Sequence, residues 1–150
     1  MERMSKNQQK HSIFYADDDE DDIMFLREAF RSYAANVELI TAFDGLEALS
    51  YLSNLSSVDP SPCLIILDVN MPKMNGKELL KEIRNLHRFE AIPVVLFTTS
   101  TLPPDKAFAA NYKAGFMTKP VDEKQLAAIA DQFVEHCTDE IRKSLSRYIS

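Results

Sequence analysis

Asp68 follows the apolar run Leu64-Ile65-Ile66-Leu67 and precedes the turn-forming stretch Asn70-Met71-Pro72-Lys73-Met74-Asn75-Gly76. A lone carboxylate at the carboxyl end of a buried strand stands where an open α/β sheet presents its reactive groups. Three other apolar runs end in polar residues in the same way. Ile13-Phe14-Tyr15-Ala16 leads into Asp17 and Asp18, Val94-Val95-Leu96-Phe97 into Thr98, and Phe116-Met117-Thr118 into Lys119-Pro120. If these runs are parallel neighbouring strands, carboxylates, a hydroxyl and an ammonium meet at one edge of a sheet. Oxygen donors suit a divalent cation, and the ammonium and hydroxyl suit the oxygens of a phosphoryl group.

The elements needed to hold those groups alternate strand and helix between about residues 11 and 137, with no repeat or low-complexity linker between them. A strand over about 12–16 is followed by a helix with Ile23, Leu26, Ala29, Phe30 and Tyr33 at helical spacing, for which Asp19 is the N-cap. The remaining acids of the run Asp17-Asp18-Asp19-Glu20-Asp21-Asp22 read as a solvated first turn at the positive end of that helix rather than as ligands. A second strand covers about 37–42. Gly45 opens a second helix through Leu46, Leu49 and Leu52, and Asp59-Pro60-Ser61-Pro62 is a loop. Leu79, Leu80, Ile83 and Leu86 mark a third helix, and a weaker fourth spans about 104–113 with Gly115 at its end. The last helix starts near Asp122 and carries Leu126, Ile129, Ala130, Phe133 and Val134. The third and fourth strands are continuous apolar runs, as expected when helices cover both faces of a parallel sheet. The expected fold is therefore α/β, doubly wound, with right-handed crossovers.

The chain has 150 residues, which suits one domain. Its formal charge of −6 and isoelectric point near 5.1, with scattered lysines and arginines, argue against direct nucleic acid binding. The polar opening resembles no secretory signal and no later run is long enough for a membrane span, so the expected location is cytoplasmic. Cys63 and Cys137 lack metal-ligand spacing and read as free thiols. His11, His87 and His136 have no neighbours that suggest catalysis and read as surface residues.

The segments ADD at 16–18, LDVNMPKMNG at 67–76, FTTS at 97–100 and TKP at 118–120 together resemble the receiver domain of two-component response regulators, stand-alone type, over roughly residues 12–137. That resemblance implies a flavodoxin-like five-stranded parallel sheet in the order 2-1-3-4-5 with five helices. It implies that Asp68 accepts a phosphoryl group from a phosphohistidine on a sensor histidine kinase or a histidine phosphotransfer protein. Mg²⁺ is the implied cofactor, held directly by Asp18 and Asp68, by the backbone carbonyl of Asn70, and through water by Asp17. Thr98 and Lys119 are implied to cover the phosphoryl oxygens, and a cis Lys119–Pro120 bond is implied to aim the ammonium. Thr98 and Phe116 occupy the switch positions, coupling phosphorylation to the surface of the fourth helix, fifth strand and fifth helix that an unknown downstream protein reads. Asn70 and Ser100 occupy the positions that control dephosphorylation. Phe116 and Val121 depart from the tyrosine and the aromatic common at their positions.

The same resemblance implies a protein that catalyses only its own phosphorylation and dephosphorylation. A scaffold acting by binding alone is the bland alternative. A phosphohydrolase of the haloacid dehalogenase type also uses an aspartyl phosphate, but Asn70 stands where its second acid belongs. A flavin carrier on this fold is disfavoured by acids where a flavin phosphate wants amides and hydroxyls. Residues 1–11 read as a flexible segment. In 138–150 the apolar series Phe133, Cys137, Ile141, Leu145 and Ile149 fits either an extended amphipathic helix, able to form a homodimer or dock on a partner, or a tail that is frayed or folded back on its own domain.

Overall fold

The computed structural model describes residues 10–99, 102–120, 122 and 125–145. Five parallel strands, β1 (His11–Ala16), β2 (Val37–Ala42), β3 (Leu64–Leu67), β4 (Val94–Thr98) and β5 (Gly115–Thr118), form one sheet in the order β2-β1-β3-β4-β5. This is the expected order. The connecting helices are α1 (Glu20–Ala29), α2 (Gly45–Ser53), α3 (Gly76–Asn85), α4 (Pro103–Asn111) and α5 (Leu126–Val134), and a sixth, α6 (Asp139–Ser144), follows.

The strand side chains alternate between two cores. Ile13 and Tyr15 of β1 join Leu26, Phe97 and Phe133 on the face covered by α1 and α5. Phe14 and Ala16 join Leu52, Leu80 and Ile83 on the face covered by α2, α3 and α4. Every residue of β3 is buried, because this central strand has helices on both sides. Register carries the strand ends to one edge: Ala16 pairs with Leu67, Leu67 with Leu96, and Thr98 with Thr118.

Local chemistry fixes the helix ends. Asp19 caps α1 by accepting from the amides of Asp21 and Asp22, and Asn75 and Glu78 form a reciprocal capping box at α3. Two arginines hold the loops on the face opposite α1. Arg84 donates to the carbonyls of Phe89 and Ile92, both at 2.9 Å, and Tyr112 at 2.8 Å. Arg88 donates to Ser61 Oγ at 2.7 Å and to the Ser56 carbonyl at 2.8 Å, holding the Asp59-Pro60-Ser61-Pro62 loop.

One detail differs from the sequence reading. The chain leaves α4 through Lys113, whose φ of 58° is left-handed, rather than through Gly115. Gly115 instead gives room to a neighbour, since a Cβ there would lie 2.6 Å from the His136 ring, which would have to shift. The C-terminal end, left open by the sequence between an extended helix and a tail that is frayed or folded back, takes the folded-back form. The four-residue apolar spacing does not continue as one helix: α5 stops at Val134, and Thr138 caps a separate α6 by accepting from the Ile141 amide. That turn folds α6 back on its own domain, where Leu145 is buried in the same core as Cys137 and Ile141 packs against it. Ser144 Oγ meets His11 Nε2 at 2.9 Å. Leu145→Ala is expected to cost about 2 kcal/mol in a urea titration, the low end for a buried leucine because it caps a helix of only six residues. An unchanged midpoint would mean that α6 adds nothing to the core. The segment 1–9, Ile149 and Val121 lie outside the described residues.

Candidate functional site

The carboxyl ends of β1, β3, β4 and β5 converge beside the point where the strand order reverses. Ligand oxygens of Asp17, Asp18 and Asp68 lie within 4.8 Å of one another. Asp17 and Asp68 are buried and Asp18 is exposed. Thr98 is buried at the end of β4. Its carbonyl accepts from the Lys119 amide at 2.8 Å, which fixes where the lysine leaves β5.

Lys119 is the hub of the acids. Its Nζ lies 2.7 Å from Asp17 Oδ2, 2.6 Å from Asp22 Oδ2 and 3.3 Å from Asp68 Oδ2, and 5.9 Å above the Phe97 ring. Burial works against the ammonium, but its hydrogen bonds to Asp17 and Asp22 and the charges around it hold its pKa above the ordinary lysine value. The peptide bond before Pro120 is not cis. The expected cis isomer is thus corrected: the ammonium reaches the acids from a trans bond, aided by the backbone pairing to Thr98.

Asp22 was not recognised as part of this site. Its position one helical turn beyond the capping residue brings its carboxylate over the sheet edge, so it is an ion-pair partner rather than a solvated acid. Tyr15 was missed as well. Its hydroxyl, at the buried end of β1, donates to Asp17 Oδ2, while the Asp19 amide donates to Asp17 Oδ1 at 2.9 Å. Both oxygens of Asp17 are therefore engaged by the protein.

Asp68 has weaker support. The Asn70 amide approaches Asp68 Oδ1 at 3.4 Å, and the closest contacts of Lys119 go to the other acids. Burial and the neighbouring Asp17 charge push Asp68 up to about 6, with Lys119 only partly opposing them. The turn after Asp68 closes tightly: the Gly76 amide donates to the Val69 carbonyl at 2.9 Å, and a Cβ at Gly76 would lie 2.1 Å from the Asp68 carbonyl oxygen. Only glycine permits this approach of α3 to the end of β3.

The raised pKa sets a pH dependence. The folded state holds the Asp68 proton up to about pH 6, whereas the unfolded chain releases it near 3.8. Between those values the native state binds more protons, so this group's contribution is present at low pH and is lost as pH rises through about 6. In metal-free protein the loss is on the order of 1–3 kcal/mol. Urea titrations from pH 4.5 to 7.5 on wild type and Asp68→Asn measure it as their difference; parallel curves would contradict the assignment.

Phe116 is half-buried on the face shared with α4 and packs, as Phe108 and Tyr112 do, against the core that holds Leu80, Leu96 and Ala109. It pairs with Leu96 two residues before the Thr98–Thr118 pair, so it lies on the same face of β5 as Thr118. Asp105 of α4 is held by Lys77 of α3 at 2.7 Å. Asn70 is exposed at the mouth of the site. Ser100 lies outside the described residues.

Residues 13–131 match the family model for the response regulator receiver domain. The chain belongs to this family. It therefore carries a receiver domain of two-component signalling. It is similar to the response regulator Rcp1 of Synechocystis, 37% identical over 90 residues, which are 59% of this chain and 61% of Rcp1. It is 30% identical to the probable methanogenesis regulatory protein FilR2 of Methanothrix harundinacea, over 83% of this chain and 81% of that protein. Among solved structures, the phosphorylated cyanobacterial phytochrome response regulator RcpA superposes with a TM-score of 0.77 at 29% identity, covering 87% of this chain and 98% of that one. The Mn²⁺-bound form of Rcp1 gives 0.75 at 30% identity, covering 85% and 97%. Among the described residues of this receiver, no helix is long and apolar enough to cross a membrane.

Proposed function

We propose that this receiver takes a phosphoryl group onto Asp68 from a phosphohistidine of a sensor histidine kinase or a histidine phosphotransfer protein, with Mg²⁺ in the acidic site. The observation that carries this reading is the convergence of Asp17, Asp18 and Asp68 within 4.8 Å, with Lys119 Nζ 3.3 Å from Asp68. The donors are all oxygens, which suits a hard cation. Burial first and the Asp17 charge second raise the pKa of Asp68, and a bound cation would offset both. The phosphorylated form of RcpA and the Mn²⁺-bound form of Rcp1 support the same reading.

Asp18 and Asp68 would hold the ion directly with the Asn70 carbonyl, and Asp17, whose two oxygens are already engaged by the protein, would act through water. When bound, Mg²⁺ supplies charge that offsets the acids and the incoming phosphoryl oxygens. The protein's own groups do the rest. An Asp68 oxygen attacks phosphorus as the bond to the donor imidazole breaks, and the departing imidazole takes up a proton. Lys119 exchanges a carboxylate contact for a phosphoryl oxygen, and Thr98 donates its hydroxyl to another, which is the positioning and charge stabilisation that phosphoryl transfer needs. Asn70 and Ser100 control the water that hydrolyses the acyl phosphate. In this reading the chain is not an enzyme and catalyses only its own phosphorylation and dephosphorylation.

The new charge biases two packings of the α4–β5–α5 surface through Thr98 and Phe116, and a downstream protein reads the difference. Thr98→Ala should still be phosphorylated but show a smaller change in the NMR signals of the Phe116 ring on phosphorylation. An undiminished change would remove Thr98 from the coupling. The acceptor is tested by incubating the protein with acetyl phosphate and Mg²⁺, reducing the acyl phosphate with borohydride, and mapping peptides. Reduction at position 68 is expected; reduction elsewhere, or a phosphate that resists borohydride and hydroxylamine, would overturn the assignment.

A further inference from the structure

Lys119 does not treat its carboxylate neighbours alike. Its Nζ donates to Asp17 Oδ2 at 2.7 Å and to Asp22 Oδ2 at 2.6 Å, whereas Asp68 Oδ2 lies at 3.3 Å. The two acids held closest differ in kind. Asp17 is buried and fixed by the Tyr15 hydroxyl and the Asp19 amide. Asp22 belongs to the first turn of α1, outside the cluster of Asp17, Asp18 and Asp68, and its side chain is 35% exposed. Its backbone is held by the capping residue, since the Asp22 amide donates to Asp19 Oδ1 at 3.4 Å. Lys119 is anchored by its own amide to the Thr98 carbonyl. Adjustment between the two therefore falls to the long lysine side chain.

A phosphoryl group on Asp68 brings new anionic oxygens to the far side of that carboxylate, and the ammonium has to turn toward one of them. One of its two short contacts must then lengthen. Releasing Asp17 is costly, because a buried carboxylate without its cation has no water to take the cation's place. Releasing Asp22 is not. Asp22 lines an open groove with Met24, Phe25 and Pro120, so water solvates its carboxylate as the lysine leaves. The shortest contact of Lys119 is thus also the one most easily given up, and it draws the ammonium away from the acceptor.

We propose that Asp22 is a positioning residue that restrains Lys119, holding the ammonium back from Asp68 until phosphoryl oxygens displace the Asp22 carboxylate. The effect on phosphoryl transfer rests on the phosphoacceptor reading of Asp68; the restraint itself does not. No covalent bond is made or broken at Asp22. Its carboxylate exchanges one N–H···O contact for water, and the same N–H turns to the phosphoryl oxygen. Because the old contact must break as the new one forms, Asp22 lowers the net stabilisation that Lys119 gives the transferring group and slows transfer.

The test is a double-mutant cycle on the full-length chain, with Asp22→Ala made in the wild-type and Lys119→Met backgrounds. At saturating Mg²⁺, Asp22→Ala should be labelled by acetyl phosphate about three- to tenfold faster than wild type. Asp22→Glu, which keeps the charge, should return the rate toward wild type. In Lys119→Met the same Asp22→Ala change should alter the rate by less than about twofold, since no ammonium is left to release. Calorimetric titration with Mg²⁺ needs no phosphoryl group. Without Asp22 the ammonium moves toward Asp17 and Asp68 and competes with the ion, so Mg²⁺ affinity should fall about three- to tenfold, and by clearly less in Lys119→Met. If acetyl phosphate labels none of the proteins, the phosphoacceptor reading falls, and the calorimetric cycle still decides the role of Asp22. Slower labelling of Asp22→Ala, an unchanged Mg²⁺ affinity, or equal effects in the two backgrounds, which would make Asp22 a remote charge only, would each overturn the proposal.

Discussion

Replacing Asp68 by asparagine is expected to abolish phosphoryl incorporation entirely while leaving the protein folded and, without metal, more stable. The loss follows from the chemistry, since an amide oxygen neither carries the negative charge nor forms the acyl phosphate that a carboxylate does. The gain in stability follows from the surroundings. Asp68 is buried beside Asp17, Lys119 spends its shorter contacts on Asp17 and Asp22, and Asp68 is pushed up to about 6 in consequence. Asparagine fills the same volume without the charge, so at pH 7.5 the metal-free variant should gain about 1–2 kcal/mol. Mg²⁺ should narrow that difference, because the wild-type site gains a ligand that the variant binds less tightly. Chemical denaturation with and without Mg²⁺ measures both effects. A destabilised variant would mean that Asp68 is held by contacts stronger than those described here.

Lys119→Met is expected to act in the opposite direction on stability and in the same direction on chemistry. Lys119 is almost fully buried and touches three carboxylates. Removing it leaves Asp17 and Asp68 buried and facing each other with no cation among the described residues in contact, a loss of about 3 kcal/mol at pH 7.5. The sign with pH is set by the acids that remain: without the lysine they hold protons more tightly, so the penalty should shrink as the pH falls toward 5 and grow above 7. Mg²⁺ should restore part of the stability. It should not restore the rate of phosphorylation by acetyl phosphate, which is expected to fall by about 10²- to 10³-fold once no ammonium meets the transferring phosphoryl oxygens. Equal rates in wild type and variant would take Lys119 out of the chemistry and leave it a purely structural cation.

Much of this site was legible because each member closes a strand. Four apolar runs ending in Asp17-Asp18, Asp68, Thr98 and Lys119 place their polar ends together once the strands are parallel, and continuous runs at β3 and β4 signal a sheet covered on both faces. What escaped the sequence reading depends on distances that no spacing encodes. Asp22 belongs to a run of acids in which nothing distinguishes the one aimed at Lys119. Tyr15 alternates along β1 like any core residue, and only the fold shows that its hydroxyl ends beside Asp17. At the C-terminal end apolar residues four apart persist across the turn, so their spacing left an extended helix and a folded-back tail equally open. The signal that could have revealed it is Thr138, a capping residue followed by the acids Asp139 and Glu140 in the first turn of a new helix. At the end of α4, glycine is the usual left-handed residue, and the chain uses Lys113 instead.

The most direct test of the central claim is the intact mass of the wild-type protein after incubation with acetyl phosphate, with Mg²⁺ and with a chelator. A gain of one phosphoryl group that requires Mg²⁺, disappears at alkaline pH and is absent from Asp68→Asn is the predicted result. No gain under conditions that label another receiver, or a gain that persists in Asp68→Asn, would contradict it.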